Sequence, residues 1–98
     1  MSTKYTWHEI KREVNLDKHK LDFIDADWVL ESPFRMDVDT ERKGEYRQQS
    51  FAYVFDLLMV LTVVYRPGTI PHIISYRAAK RTEREVYHEW LENDYNDA

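Results

Sequence analysis

Residues 72–87 read HIISYRAAKRTEREVY and join the pattern of a strand to that of a helix. The first part is rich in β-branched and aromatic residues, which favour strands. The second part continues into apolar residues at helical spacing, which predict a helix with one buried face. These helical positions are Val86, Tyr87, Trp90 and Leu91. Thr82 followed by Glu85 predicts a capping box, so a strand should lead directly into a helix.

Four cations lie at the predicted junction between this strand and this helix. They are Arg77, Lys80, Arg81 and Arg84. Cations usually avoid a helix N-terminus, because the helix dipole is positive there. The free N–H groups of a helix start suit a phosphate, so we expect an anion to bind beside these side chains.

The length and composition suit one domain. The chain has 98 residues, of which 43% are hydrophobic, enough for a modest core. It contains no cysteine, which excludes disulfides and thiolate metal sites. No apolar run reaches the ~18 residues of a membrane span, and residues 1–11 lack the apolar core of a signal peptide. The cytoplasm is therefore the expected location.

The formal net charge of −4, taken alone, argues against a nucleic-acid-binding protein. The charges are unevenly distributed, however. Residues 1–20 and residues 77–87 each sum to +2, whereas residues 22–45 hold eight acids and three bases. Charge runs are often solvated surfaces that favour solubility, so a basic binding surface and a solvated face are both open interpretations.

Two N-terminal helices are predicted. A capping box at Thr6 and Glu9 starts the first, which should end near His19. Its predicted inner residues are Trp7, Ile10, Val14 and Leu21. Asp22 resembles the N-cap of a second short helix that Pro33 stops. The tryptophans interpreted as core residues are Trp7, Trp28 and Trp90.

A sheet is predicted after these helices. Its strands are residues 34–38, 51–55, 57–65 and 73–76, with a further short strand at 5–7 left open. Residues 39–45 are interpreted as a polar loop, and the acidic residues 89–98 are expected to fray. The predicted fold is α+β over residues 1–98: two N-terminal helices, an antiparallel sheet of about four strands and a C-terminal helix, with the helices on one face.

Three blocks of the sequence resemble the BrnT toxins of type II toxin-antitoxin systems. The blocks are residues 15–26 (NLDKHKLDFIDA), 39–47 (DTERKGEYR) and 73–87 (IISYRAAKRTEREVY). The resemblance implies a RelE-like fold, ribonuclease activity and neutralisation by an antitoxin of the BrnA type. Lys20, His72 and Tyr76 stand where the family usually has Gly, Arg and Ala. A glycine at position 20 would permit a positive φ that lysine resists.

A small ribonuclease that works without a metal needs a base, an acid and cations around the phosphorane. The catalytic candidates are Lys18, His19, Glu45 and Arg77. His19 suits proton donation or acceptance, because an unperturbed imidazole titrates near neutrality, and Glu45 is the alternative base. Arg77 is either a phosphate clamp, which the resemblance favours, or the ion-pair partner of an acid such as Glu45. Lys18 and His19 could instead only complement the dipole of the first helix.

Further residues are candidates for RNA binding. Those that could contact phosphates are Arg42, Arg47, Lys80 and Arg81. Tyr76 is a candidate for stacking on a base, although aromatic residues in strands are more often core. The histidines lack the spacing of a metal site, so neither a metal nor another cofactor is expected.

The expected partners are an RNA substrate and a BrnA-like antitoxin, without a membrane. A homodimer and a heterotetramer with the antitoxin are both candidate assemblies. An alternative function is a catalytically inactive BrnT-like binding protein, such as an acidic phage-borne inhibitor of a nucleic-acid-binding partner, because clustered carboxylates can imitate phosphates. A degenerate toxin that serves only as a repressor subunit is a third interpretation.

Overall fold

The structure, a computed structural model, describes residues 4–96 and the side chains through residue 93. The strands in this range are β1 (Thr6–Trp7), β2 (Met36–Arg42), β3 (Glu45–Val54), β4 (Met59–Arg66) and β5 (His72–Ala78). The helices are α1 (Glu9–His19), α2 (Asp27–Leu30) and α3 (Arg81–Asn96), with a 3₁₀ turn at Phe23–Asp25. The α+β class and the C-terminal helix are confirmed. Helix α3 extends into the segment expected to fray, and residues 97–98 lie outside the described residues.

The five strands form one mixed sheet in the order β1-β5-β4-β3-β2. Strands β2 to β5 are antiparallel to their neighbours, but β1 runs parallel to β5, with Thr6 beside His72 and Trp7 beside Ile73. The short strand left open at residues 5–7 is therefore present as β1, and its parallel pairing makes the sheet mixed where an antiparallel sheet of about four strands is predicted. A two-residue strand is too short to show a periodicity, and only its distant partner defines it.

Helices cover both faces of the sheet, not one face as predicted. The 3₁₀ turn and α2 pack on one face and form the larger core cluster. Its fully buried members include Phe23, Val29, Leu61, Ile73 and Tyr76. Helix α3 packs on the other face, where Tyr87 joins Phe51 and Val60 in a smaller cluster. Strand β4 is central and apolar on both faces, as the run 57–65 predicts for a strand between two layers.

Helix α1 packs differently from the prediction. Ile10 and Val14, expected on its inner side, are 65% and 60% exposed. The inward position is Asn15, which hydrogen-bonds the backbone of Tyr76 on β5. The helix runs along an edge of β5 that β1 does not cover, and the unpaired backbone groups of such an edge need polar partners. Trp28, also expected in the core, is 40% exposed.

The start of α1 also differs from the prediction. Thr6 belongs to β1, and the helix begins at Glu9 after His8, whose side chain makes no capping hydrogen bond. The capping box predicted there is therefore wrong. Asp22 is confirmed as an N-cap, because its carboxylate accepts a hydrogen bond from the N–H of Ile24 at 3.1 Å.

The N-cap of α3 lies two residues before the predicted position. The box expected from Thr82 and Glu85 is wrong, since the helix already begins at Arg81. Glu83 is the acid that reaches back, and its carboxylate accepts a hydrogen bond from the N–H of Lys80 at 2.8 Å. This places a carboxylate at the junction of β5 and α3, where it can meet the cations of β5.

Three turns hold non-glycine residues at positive φ. Residues 39–45 do not form the predicted loop. Strand β2 extends through Arg42, and a two-residue turn of Lys43 and Gly44, with φ of 52° and 79°, joins it to β3. Two successive positive values are typical of a type I′ hairpin turn. Leu58 in the turn between β3 and β4 has φ of 54°, and Lys20 after α1 has φ of 60°. Lys20 therefore adopts the left-handed conformation that a glycine would accept more readily.

Candidate functional site

A groove rich in cations lies between α1 and the hairpin of β2 and β3. It consists of two clefts of about 290 and 420 Å³, which share Lys11 and Ile74 as lining residues. The cations that line the clefts are Lys11, Lys18, Arg42, Lys43 and Arg47. Glu45 is the single carboxylate among the described residues that line them. This basic groove is therefore positively charged in a chain of net charge −4.

The basic groove lies on the sheet face that α3 partly covers. Arg47 and Phe51 are four residues apart on β3, so their side chains leave the same face, and Phe51 packs in the α3 cluster. A β-bulge brings Ile74 to the groove: Val64 pairs with Ser75 and the next residue with Ile73, which leaves Ile74 as the extra residue. Bulges commonly re-aim a side chain in this way.

Asn15 holds α1 against β5. Its side-chain amide accepts a hydrogen bond from the N–H of Tyr76 at 3.1 Å and donates to the carbonyls of Tyr76 and Leu21 at 2.7 and 3.0 Å. The side-chain amide of Asn15 thus makes the hydrogen bonds with Tyr76 that a neighbouring strand would otherwise make at this edge of β5. His19 follows one helical turn later on the same side of α1, which brings it within electrostatic range of Arg77.

Arg77 is held by Glu83 in a two-pronged ion pair. Its two terminal nitrogens donate to the two carboxylate oxygens at 2.8 and 3.0 Å, and both side chains are about a fifth exposed. Gln49 on β3 donates to the same carboxylate at 3.2 Å. The ion pair considered for Arg77 thus exists, but with Glu83 and not with Glu45, which pairs with Arg47 at 2.9 Å.

Neighbouring groups and burial shift the pKa values of His19, Glu83 and Glu45. Desolvation lowers the pKa of His19 below its ordinary value, and the charges of Lys18 and Arg77 lower it further. The imidazole is therefore neutral at pH 7. Hydrogen bonds from Arg77 lower the pKa of Glu83 to about 2. The pKa of Glu45 is lowered by the hydrogen bond from the β3 arginine, so this carboxylate is ionised and a weak base.

The sequence matches a known family over most of its length. The family described as the ribonuclease toxin BrnT of type II toxin-antitoxin systems matches residues 7–83. The chain belongs to the BrnT family. No curated protein matches it. The matched range includes the whole basic groove and both members of the Arg77–Glu83 pair, whereas most of α3 lies beyond it.

The BrnT match confirms the resemblance drawn from the three sequence blocks, and the structure brings several of their candidate residues together. Lys18 and His19 line the first cleft of the basic groove. Arg42, Glu45 and Arg47 line the second. The first and second blocks, which are separate in sequence, therefore line two clefts that share Lys11 and Ile74. A toxin of a type II toxin-antitoxin family implies an antitoxin partner and an RNA target.

Arg77 and three other candidates lie outside the residues that line the groove. Lys80 is the exposed N-cap of α3, and Arg81 is 84% exposed and pairs with Glu85 at 3.2 Å. Tyr76 is wholly buried, and its hydroxyl donates to the carbonyl of Asp25 at 3.2 Å. The prediction that Tyr76 stacks on a base is therefore wrong, because no face of its ring is accessible.

Sequence reasoning missed three residues of this site. Lys11 precedes Lys18 by seven residues and so shares its side of α1, a spacing that could have revealed it. Glu83 follows Lys80 by three residues, which is also a readable capping spacing. Ile74 had no comparable signal, because a β-bulge depends on how two strands pair.

Neither a metal site nor a membrane helix is found in the part of the chain that the structure describes. Across residues 4–96, no group of three or more His, Asp or Glu side chains is placed to hold a metal ion. None of the described helices is long and apolar enough to span a bilayer.

Proposed function

We propose that this chain is an endoribonuclease toxin that cleaves RNA without a metal ion, by attack of a 2′-hydroxyl on the adjacent phosphate. The observation that supports the proposal is that His19 lines the basic groove of an otherwise acidic protein and lies within electrostatic range of Arg77. Cations concentrated in one groove attract a polyanion even when the whole protein is negative. Membership of the BrnT family supports the same activity.

His19 is the proposed base. Because its pKa is lowered, the imidazole is neutral at pH 7 and one ring nitrogen accepts the proton of the 2′-hydroxyl. The 2′-oxygen then bonds to phosphorus, and the bond from phosphorus to the 5′-oxygen breaks. Lys18 donates a proton to the leaving oxygen, so the products are a 2′,3′-cyclic phosphate and a 5′-hydroxyl. Glu45 is the alternative base, although its lowered pKa weakens it.

Arg77 is the proposed clamp for the phosphorane. Three of the five N–H groups of its guanidinium contact Glu83 and the carbonyl of Ala78 in the described structure, which leaves two for a phosphate. The contacts to Glu83 fix the plane of the guanidinium, and a preorganised donor stabilises a transition state better than a mobile one. Glu83 is therefore a positioning residue for Arg77.

The proposed antitoxin is BrnA-like and neutralises the chain by covering the basic groove. An acidic segment of such a partner would compete with RNA for the same cations. The exposed apolar residues Ile10 and Val14 lie beside these cations and would be buried in that complex. Either a homodimer of the toxin or a heterotetramer with the antitoxin is compatible with this arrangement.

A second candidate function is favoured by the Arg77–Glu83 pair itself. A guanidinium that a carboxylate already neutralises is a weaker phosphate clamp. The chain would then be an inactive BrnT-like protein that binds a nucleic-acid-binding partner, and it would be tolerated when expressed alone. Cleavage of RNA separates the two functions.

The test is incubation of total RNA with the purified protein, with a chelator present throughout. We expect cleavage with cyclic phosphate ends, a loss of at least about 100-fold for His19→Gln as for the removal of a general base, and a comparable loss for Arg77→Gln. Absence of cleavage by the folded parent protein would overturn the toxin proposal and favour the inactive binding protein.

Arg12→Gln is the matched control for Arg77→Gln. Arg12 also forms a two-pronged pair, with Asp22 at 2.7 and 2.8 Å, and the two side chains are similarly exposed at 26% and 21%. This variant loses a structural ion pair but no proposed catalytic group, so it should retain cleavage at temperatures where it is folded. Equal losses for the two variants would mean that Arg77 acts on stability alone.

A further inference from the structure

A second group of cations continues the basic groove away from Arg77. Arg66 pairs with His72 across β4 and β5, and Arg47 lies one residue beyond the last pair of β3 and β4, next to Arg66. Desolvation lowers the pKa of His72, and the charges of Arg66, Lys11 and His8 lower it further, so Arg66 and Lys11 are within electrostatic range of this imidazole. Lys11, Arg66 and His72 are called the distal cluster below.

The distal cluster and Arg77 lie on the same sheet face at a measurable separation. Arg77 pairs with Thr62, and His72 pairs with Arg66, four residues further along β4. An even spacing keeps both positions on one face, and four residues of strand span ~13 Å. A fully stacked nucleic-acid strand rises ~3.4 Å per phosphate, so this distance spans at most about four phosphates, and fewer where a base is unstacked.

An apolar patch lies between these two positive regions. It consists of Ile10 and Val14 on α1 and of Ile74 at the β-bulge, which together line the first cleft. Ile10 and Val14 are largely exposed, because α1 turns Asn15 and not its apolar residues toward β5. A duplex keeps the faces of its bases stacked and paired, whereas the unpaired bases of a single strand can lie flat against this patch.

We propose that the distal cluster binds a second phosphate of a single-stranded RNA whose scissile phosphate lies at Arg77, and that the apolar patch receives an unstacked base between them. This inference rests on the proposed ribonuclease function and defines its substrate as a single strand of several nucleotides. Arg66 and Lys11 are the phosphate contacts, and His72, held by Thr6 at 2.9 Å, is a hydrogen-bonding group beside them.

The test uses RNA that carries 2′-O-methyl groups throughout, which cannot be cleaved because the attacking hydroxyl is absent. Affinities of a dinucleotide and of a single-stranded octanucleotide are measured by fluorescence anisotropy over a range of salt concentrations. The double variant Lys11→Gln with Arg66→Gln should lower the salt slope of octanucleotide binding by about 1.4, at ~0.7 for each lost contact with single strands. Dinucleotide binding should be weakened less than octanucleotide binding, because a dinucleotide cannot span both sites, although Lys11 also lines the first cleft.

Lys4→Gln is the control, because Lys4 is an exposed cation that lines a separate cleft beside Ile24. It should leave the slope unchanged. An unchanged slope in the double variant, with cleavage by the parent protein intact, would overturn the distal site alone. Equal affinity for an octanucleotide duplex would overturn the single-strand assignment, and absence of both binding and cleavage by the parent would overturn the ribonuclease function as well.

The same variants distinguish RNA from an acidic protein segment as the occupant. Poly-glutamate peptide is titrated against the parent protein and the double variant. If binding of the peptide requires Lys11 and Arg66 while binding of the octanucleotide does not, the distal cluster is a protein-docking site and the proposal is wrong. If octanucleotide binding depends on them, as we expect, the proposal stands.

Discussion

Replacement of Glu83 by glutamine should destabilise the protein through Arg77, and the loss should depend on pH. Glu83 accepts hydrogen bonds from Arg77, from Gln49 and from the N–H of Lys80. Glutamine keeps an acceptor oxygen for one of these donors but loses the charge. The half-buried guanidinium then has no carboxylate partner.

The magnitude follows from the pKa of Glu83. Its fall from the ordinary 4.5 to about 2 corresponds to at most about 3 kcal/mol of folding free energy. Both side chains of the pair are about a fifth exposed, and water screens part of the interaction. We therefore expect Glu83→Gln to lose about 1–2 kcal/mol at pH 7, where each 1 kcal/mol lowers the melting temperature by about 4–8 °C.

The pH dependence has a definite sign. A carboxylate whose pKa is lower in the folded state stabilises the protein above its unfolded pKa, and this contribution disappears as the pH falls through the folded value. The difference in unfolding free energy between the parent protein and Glu83→Gln should be constant at neutral pH. It should shrink between about pH 4.5 and about pH 2, the interval between the two pKa values.

Urea unfolding of both proteins across this pH range measures the difference. Glu85→Gln is the matched control: Glu85 lies two residues further along α3 and also pairs with an arginine, but both partners are 65% or more exposed. That variant should change stability by less than about 0.5 kcal/mol. A loss for Glu83→Gln that is independent of pH, or equal to that of the control, would refute this account of the pair.

Three further outcomes are expected. Lys20→Gly should stabilise the protein by about 0.5–1 kcal/mol, because it removes a left-handed strain of about 1–2 kcal/mol and adds a smaller entropic cost; a lower urea midpoint would contradict this. Asn15→Ala should cost about 3 kcal/mol through three lost hydrogen bonds and accelerate amide exchange at Tyr76; unchanged protection there would exclude the edge-capping role. Arg77→Gln should raise the pKa of His19, measured by NMR titration, and an unmoved titration would show that the two groups are too far apart to cooperate.

Predictions from local sequence patterns are correct where a single helix or strand contains the whole pattern. The strand and helix of residues 72–87 were predicted in the right order, because a change of periodicity from two to 3.6 is visible in the sequence itself. The cap at Asp22 was found for the same reason. The boxes at Thr6 and Thr82 were wrong, because the sequence motif is short and cannot compete with strand pairing or with an earlier helix start.

The wrong predictions concern apolar and aromatic residues whose spacing does not show whether the side chain is buried or exposed. The stripe of Ile10 and Val14 has helical spacing and predicts a buried face, yet it borders the basic groove and is exposed. Tyr76 was a candidate for base stacking because it precedes Arg77, and it is instead fully buried. Both cases depend on which side of an element meets the core. A single apolar stripe does not specify that direction.

The sequence by itself determined the family, the α+β class, the order of the main elements and the chemical groups available for catalysis, since these depend on residue types and on spacing within short segments. The tertiary structure alone decided which groups meet. It paired Arg77 with Glu83, joined β1 to β5 across 66 residues and brought His19 within electrostatic range of Arg77 on a helix that Asn15 holds against β5. Such contacts depend on distance in space between residues far apart in the chain, and no local periodicity encodes that distance.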